Sequence, residues 1–364
     1  MIHRCDTKKI RVGNIIIGGS DSIIIQSMCN TKTKDTKATI KQINDLEKAG
    51  AQIVRLALLD QADAKALKII KKHTNIPLVA DIHFDYKLAL IAIENDIDKI
   101  RINPGNIGSQ ERIKKVVKAC QSKNIPIRIG INAGSLEKEI LEEYGYPCAQ
   151  AMIASAKKHI KILEDLNFYD ICLSLKASEI SLCMEAYELA AQEFNYPLHL
   201  GITEAGNEFS GTIKSVAGLA PLIKAGIGST IRISLSDDPL KEIRVCKELL
   251  KNYHLAFNIP TLISCPTCGR LQYDMFKVVN IIDQYLENKQ SNIKVAIMGC
   301  VVNGPGEAKQ ADIGIAGGKE QAILFKKGQI IKTIQEAEII DVLKKEIDIF
   351  IKYELTNNIN QNNK

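Results

Sequence analysis

The chain has 364 residues, 48 Lys and Arg against 42 Asp and Glu, a net charge of +6 and a hydrophobic fraction of 46%. That length exceeds a single core of about 250 to 300 residues and predicts two domains, while no apolar run reaches the roughly 18 residues of a membrane span. The lysines are scattered along helix-like segments and the start MIHRCDTKKIRVGN has no apolar signal core, so the expected setting is the cytoplasm, with neither nucleic acid nor membrane as partner.

Residues 1–22, with VGNIIIGGSDS, read as a hairpin that closes the floor of a barrel. From residue 23 short β-branched runs alternate with amphipathic stretches. The strand candidates are IIIQSM (23–28), IVRLA (53–57), LVADIH (78–83), KIRIN (99–103), IPIRIGIN (125–132), ICLSLKA (171–177), LHLGIT (198–203) and TIRISL (230–235). Between them stand helix-like segments such as TKATIKQINDLEKAG, QADAKALKIIKKH, SQERIKKVVKACQSK and CAQAMIASAKKHIKILEDL. Strict alternation predicts a parallel sheet, and eight units in about 230 residues predict an α/β fold, a (β/α)8 TIM-type barrel over 1–257. A doubly wound open sheet would carry a glycine-rich turn after its first strand, and IIIQSMCNTKTK has none.

A small α/β iron-sulfur domain is expected over 258–355. It begins with CPTCGR and continues with a helix candidate DMFKVVNIIDQYLEN, a strand KVAIMG and a GPGEA loop. Two short strands in DIGIAGG and AILFKKG and a long helix in IQEAEIIDVLKKEIDIFIKYEL complete it. The polar end, 356–364, reads as a disordered tail.

Arg55, Arg101, Arg128, Lys176 and Arg232 each take a late position in a different strand candidate, joined by Gln26, Asp81, His83, Asn103, Asn132, His199, Glu204 and Ser234. The C-terminal strand ends of a barrel converge on one mouth. Taken singly, each cation is as well explained by a salt bridge or a snorkelling side chain. Together they cost several kcal/mol per unpaired ion, which an anion must offset. Asp81 and Glu204 are the obvious acids nearby, so the remaining offset falls to a ligand, and planar guanidinium groups favour a phosphate or diphosphate. Backbone N–H groups of NPGN (103–106), INAGS (131–135) and TEAGN (203–207) would add donors. Lys176 also ends the sixth strand candidate, where a Schiff-base phosphosugar lyase with a structural zinc domain is the alternative reading.

Of the 10 cysteines, Cys5, Cys29, Cys120, Cys148, Cys172, Cys183 and Cys246 have no CxxC neighbour and read as small buried hydrophobes, Cys29 and Cys148 less clearly because they lie in loops. SCPTCGR (264–270) and MGCVVNGPGEA (298–308) instead offer Cys265, Cys268 and Cys300 in the spacing C-x2-C-x31-C. Zinc needs a fourth protein ligand, and no His or further Cys occurs beyond them in this domain. A cluster tolerates an oxygen ligand or an open iron, so the spacing favours iron-sulfur over zinc. Glu307 is the nearest carboxylate in a constrained loop. The C-x3-C-x2-C triplet of S-adenosylmethionine radical chemistry is absent.

The segments QSMCNTKTKD, ADIHFDY, KIRINPGNIG, RIGINAGSL, LSLKAS, HLGITEAG, SCPTCGR and GCVVNGPGEA together closely resemble the 4-hydroxy-3-methylbut-2-en-1-yl diphosphate synthase family of the methylerythritol phosphate pathway, in its compact bacterial form. Cys29, where threonine is common, and LALLD (56–60) depart from the family pattern without touching an assigned residue. The resemblance implies a reductive dehydration in isoprenoid precursor biosynthesis. The ring of 2-C-methyl-D-erythritol 2,4-cyclodiphosphate opens, a hydroxyl leaves as water, and electrons arrive from flavodoxin or ferredoxin. It also implies a 4Fe-4S cluster on Cys265, Cys268, Cys300 and Glu307, and proton handling by Glu204. Substrate binding is implied for Arg55, His83, Arg101, Asn103, Arg128, Asn132, Lys176, Arg232 and Ser234, in a homodimer whose active site is shared between chains.

Overall fold

An antiparallel hairpin, β1 (Ile10–Val12) and β2 (Ile15–Ile17), precedes eight parallel strands in the first part of the computed structural model. Residues 1–103, 107, 109–287, 289–301 and 309–362 are described, without the side chains of 357–362. The chain divides into two units, Met1–Leu255 and Ala256–Lys364.

The strands of the first unit are β3 (Ile24–Met28), β4 (Ile53–Ala57), β5 (Leu78–Ile82), β6 (Lys99–Ile102), β7 (Ile127–Asn132), β8 (Ile171–Lys176), β9 (His199–Leu200) and β10 (Thr230–Ile231). They pair in the order β8-β7-β6-β5-β4-β3-β10-β9. A parallel bridge from Leu173 to Leu198 joins the two edges, so the sheet closes as the alternation predicts. Between and after them run α1 (Thr36–Ala49), α2 (Gln61–Lys72), α3 (Tyr86–Glu94), α4 (Gln110–Lys123), α5 (Lys138–Tyr144), α6 (Ala149–Glu164), α7 (Ile180–Glu193), α8 (Glu208–Lys224) and α9 (Pro239–Asn252). Short polar residues start several of these helices by accepting otherwise unpaired N–H groups. Asp35 accepts from Ala38, Asp60 from Asp63, Asn207 from Ser210 and Asp238 from Leu240.

The hairpin plugs the N-terminal end of the barrel, as expected. Ile10, Val12 and Ile17 bury against Ile24, Ile53, Val79 and Cys172 from the lower ends of four strands. Arg4 ties the preceding segment to the wall: its guanidinium donates to the carbonyls of Ile223, Ile227 and Gly228, which satisfies acceptors at the end of α8 and just beyond it.

Two strands are much shorter than LHLGIT and TIRISL suggest. Beyond Leu200 the wall continues through single bonds, Thr203 N to Ala177 O and Arg232 N to Leu200 O. Gly201 lies there because a Cβ would stand 2.6 Å from Lys176 Nζ, and glycine in a strand commonly marks such an approach.

The second unit contains β11 (Thr261–Ser264), α10 (Met275–Glu287), β12 (Lys294–Met298), β13 (Ile313–Gly317), β14 (Gln321–Lys326), β15 (Gln329–Gln335) and α11 (Ile339–Asn362). Its sheet runs in that strand order, parallel from β11 to β13 and antiparallel from β13 to β15. Val278, Ile282 and Leu286 of α10 and Leu343 and Ile347 of α11 share one core with Val295, Ile297, Ile315 and Leu324 of the sheet.

β11 and β15 exceed the strands expected from sequence. In β15 only Ile334 is buried, so no alternating apolar face announces it, and its end blends into the adjoining helical pattern. α11 begins at Ile339, later than expected, after a 3-10 turn over Glu336–Glu338, and it extends into the polar segment 356–364. Among the described residues no helix is long and apolar enough to cross a membrane.

Because Ile17 is 1% exposed within the floor cluster, Ile17→Ala should destabilise the first unit by about 2–4 kcal/mol. Urea unfolding monitored by hydrogen exchange in the barrel strands checks this.

Candidate functional site

The period of two that turns Val79 inward also turns Asp81 inward, at 5% exposure. Its Oδ1 lies 3.2 Å from Arg101 Nη1, and its Oδ2 lies 3.8 Å from Arg55 Nε and 3.4 Å from His83 Nε2. Strand register prepares this: Asp81 stands beside Arg101 on β6, and Met28 on β3 beside Arg55 on β4. Burial by itself would raise the Asp81 carboxyl. Arg55, His83 and Arg101 outweigh it and hold the group well below the usual carboxylate range.

The cations around this hub are crowded. Arg101 and Arg128 are direct neighbours across β6 and β7, a like-charge pairing that costs stability without a counter-ion. Arg101 reaches inward over Gly130, where a Cβ would meet its Nε at 2.6 Å. Arg55 turns Nε and Nη2 to the Met28 sulfur, at 3.0 and 2.8 Å, a weak acceptor for a charged donor. Burial pushes Arg55 well below its ordinary value, Asp81 opposes this, and Arg128, Arg232 and Arg101 push further down. Burial and then Arg101 push Arg128 down to about 10. Lys176 is driven well down by burial, then by Arg55, Arg232, Arg128 and Arg101.

Several expected positions shift. Arg128 is the second residue of β7 and His199 the first of β9, so both lie in the interior at 0% exposure, deeper than the late strand positions expected of them. His199 Nδ1 lies 2.7 Å from Thr230 Oγ1. Asn103 is buried, Asn132 is half-buried at the end of β7, Ser234 is half-buried three residues beyond β10, and His83 is exposed. Glu204 is exposed with φ of 53°, and its carbonyl accepts from Lys214 Nζ at 3.3 Å. Among the described residues its carboxylate forms no ion pair with the barrel cations.

The second acid is Glu242 of α9 instead. It lies 3.3 and 3.4 Å from Arg232 and accepts from Leu235 N at 2.9 Å. Its signal in the sequence is an acid set on the buried stripe of Pro239, Ile243, Cys246, Leu249 and Leu250. Lys99, on the same inward face of β6 as Arg101, is the other residue missed.

Arg55, Lys99, Arg101, Arg128, Lys176 and Arg232 therefore confront Asp81 and Glu242. Among the described residues Gln26 Nε2, Lys99 Nζ, Arg101 Nε, Arg128 Nε and His199 Nε2 are buried without a hydrogen-bond partner. Each such atom costs about 1–3 kcal/mol. An anion bound by the arginines would offset part of that cost.

In the second unit Cys265 follows β11 directly and accepts from Gly299 N at 3.2 Å, while Cys300 follows Gly299 beyond β12. The Arg270 guanidinium is drawn above its ordinary value by Cys268 first and also by Cys300, so it stands near both sulfurs. The Arg270 backbone N–H first, and then its guanidinium, lower the Cys268 thiol. Parallel β11 and β12 thus bring distant cysteines to one end of the sheet. Among the described residues the three sulfurs do not all lie within 4.8 Å of one another. Glu307 lies outside the described residues.

Cys29, Cys120, Cys172, Cys183 and Cys246 are buried as expected, and burial raises Cys29 to about 12. Cys148 is half-buried and caps α6, and Cys5 is exposed, contrary to expectation.

Known proteins resemble this chain along nearly its whole length. The family model described as the GcpE TIM-barrel domain matches residues 7–247, and that of the GcpE protein C-terminal domain matches 261–349. A 4-hydroxy-3-methylbut-2-en-1-yl diphosphate synthase (flavodoxin) from Exiguobacterium sp. is 58% identical over 348 residues, covering 96% of this chain and 93% of that protein. The protein of the same name from Lysinibacillus sphaericus is 58% identical over 346 residues, covering 95% and 93%. Among solved structures, dihydropteroate synthase from Stenotrophomonas maltophilia matches with a TM-score of 0.50 at 12% identity, over 68% of this chain and 97% of that one. At that identity the likeness speaks for the barrel fold alone.

Asp81→Asn should cost about 3–5 kcal/mol at neutral pH, because it leaves Arg55 and Arg101 buried without their carboxylate. A carboxyl held low in the native state contributes fully above the unfolded value near 3.9 and loses that contribution as pH falls through its native value. The stability gap between the two proteins should therefore narrow below about pH 4, as denaturant titrations across pH would register.

Proposed function

This chain belongs to the GcpE family, and from that premise we propose how its residues carry the family's reductive ring opening. It converts 2-C-methyl-D-erythritol 2,4-cyclodiphosphate to 4-hydroxy-3-methylbut-2-en-1-yl diphosphate, in the methylerythritol phosphate route to isoprenoid precursors. One carbon–oxygen bond of the ring breaks and the freed phosphoryl oxygen keeps the negative charge. A hydroxyl leaves with a proton as water, and an electron pair balances the change.

The observation that carries the assignment of residues is the excess of buried cation in the barrel, with Arg101 Nε and Arg128 Nε still unpartnered. Arg55, Arg101, Arg128, Lys176 and Arg232 bind the two phosphoryl groups and stabilise the charge released on ring opening, as preorganised dipoles and charges in a site shielded from water. Asp81 and Glu242 hold those arginines in position and leave the positive excess intact. His83, Asn103, Asn132 and Ser234 complete the substrate contacts from the strand ends. Glu204, in the loop after β9, hands a proton from its carboxyl oxygen to the departing hydroxyl.

Cys265, Cys268 and Cys300 form a soft donor set that fits a 4Fe-4S cluster, with Glu307 proposed as an oxygen ligand displaced more readily than a thiolate. Such a cluster, when bound, supplies electrons singly and a Lewis-acidic iron. The Gly299 N–H and the Arg270 guanidinium lower the charge density on the sulfurs that hold it. Flavodoxin, which the relatives' name carries, is the proposed electron donor, with ferredoxin the alternative. The protein works as a cytoplasmic homodimer with the active site shared between chains. The Schiff-base role for Lys176 gives way to family membership.

Anaerobically purified protein should carry about four irons and four sulfides per chain with negligible zinc. Cys300→Ser should abolish the visible charge-transfer absorbance, and a colourless zinc protein would sink the assignment. Glu204→Gln should bind the cyclic diphosphate normally while turnover falls by about 10²–10⁴. Loss of binding, read by calorimetry, would make Glu204 a binding group instead. Glu307→Ala should retain cluster absorbance and lose turnover in the same assays.

A further inference from the structure

Lys99 opens β6 two residues before Arg101, so the alternation that aims Arg101 into the barrel aims Lys99 there as well. It is 0% exposed and its ammonium nitrogen has no hydrogen-bond partner among the described residues. The titratable and charged groups on the inner faces of the other strands are Arg55 from β4, Asp81 from β5, Arg128 from β7, Cys172 and Lys176 from β8, His199 from β9 and Arg232 beyond β10. Of these, Arg55, Arg128, Cys172 and His199 are coupled to Lys99 through charge, without a hydrogen bond to it.

None of these groups neutralises it. Asp81 is committed to Arg55, Arg101 and His83. Burial raises the Cys172 thiol, which stays protonated and neutral. His199 is driven down by burial and by the arginine and lysine charges, so it too is neutral. A guanidinium cannot relieve the repulsion by shedding its proton at ordinary pH, whereas a lysine amine can.

We propose that Lys99 is a proton-uptake group of the anion site under alkaline conditions, shedding its charge there while it faces the arginines alone and regaining a proton from solvent when a diphosphate neutralises them. The proposal rests on the reading of the barrel as a diphosphate site. Burial lowers the amine most, Cys172 opposes this only where its thiol ionises, and Arg128 and Arg55 lower it further, which places the free amine at about 8. An anion on the arginines removes the repulsive part and moves that value up while burial still acts. At pH 9 the free amine is then largely neutral and binding draws protons onto it, whereas at pH 7 it is charged with or without the anion.

The test is calorimetric titration of the oxidised holoenzyme with the cyclic diphosphate at pH 7 and pH 9, each in buffers of different ionisation enthalpy. At pH 9 Lys99→Met should take up measurably fewer protons than the wild type, by up to one, and the difference should close at pH 7. Uptake from Lys176 is common to both proteins and cancels. Equal uptake at pH 9 overturns the proposal. Failure of the wild type to bind the cyclic diphosphate refutes the diphosphate reading and takes this proposal with it.

A second readout needs no ligand. The unfolded chain holds the Lys99 proton up to about pH 10.5 and the folded one only to about 8, so wild-type stability should rise relative to Lys99→Met across that window. A purely structural lysine would give a pH-independent offset, which counts against the proposal. Lys99→Gln serves in both experiments if the methionine variant does not fold.

Discussion

Concentrating positive charge inside a closed barrel is the constraint to which the rest of this structure answers. The charge is drawn from several strands, and its stability depends on two buried carboxylates, Glu242 on Arg232 and Asp81, the latter shared among Arg55, Arg101 and His83. A buried ion pair is often no more stable than an apolar replacement, so its retention is better explained by function than by folding. Here Asp81 does less than neutralise. It orients two guanidinium groups and leaves Arg128, Lys176 and Lys99 uncompensated, which is the electrostatic state a diphosphate requires.

The barrel tolerates this because its two ends are chemically different. At the floor the hairpin residues Ile10, Val12 and Ile17 seal an apolar layer with Ile24, Ile53 and Val79. Further along the same strands the inward positions become Gln26, Arg55 and Asp81. The apolar layer supplies cohesion at the floor, and the polar layers give it up where the proposed ligand would bind. Gly130 and Gly201 add the remaining condition, since a Cβ at either would displace Arg101 or Lys176. Strain and desolvation concentrated in this way are typical of functional sites, where binding energy later compensates them.

The second unit applies different physics to a different task. Parallel β11 and β12 bring Cys265 and Cys300 to neighbouring strand ends, and the Arg270 guanidinium stands near Cys268 and Cys300. The Gly299 N–H donates to the Cys265 sulfur, a contact of the kind that tunes a metal held by sulfur. On the proposed reading, charge recognition resides in one unit and soft-donor chemistry in the other.

Local periodicity sufficed to reveal the strands that build the barrel and their inward faces, and the cysteine spacing favoured a cluster over zinc in the second unit. It also set Arg55, Arg101 and Lys176 on the inner faces of their strands, because alternation along a strand is a property of neighbouring residues. What it could not supply were partners that depend on closure. Glu242 reaches Arg232 from a helix, and the Met28 sulfur meets both Arg55 and an Arg232 that is 204 positions away. The depth of Arg128 and His199 and the isolation of Lys99 follow from where each strand actually begins. A residue's own neighbours in sequence determine which way its side chain points. Only the folded barrel decides what charge it will meet there, because desolvation and Coulomb interaction depend on distance in space.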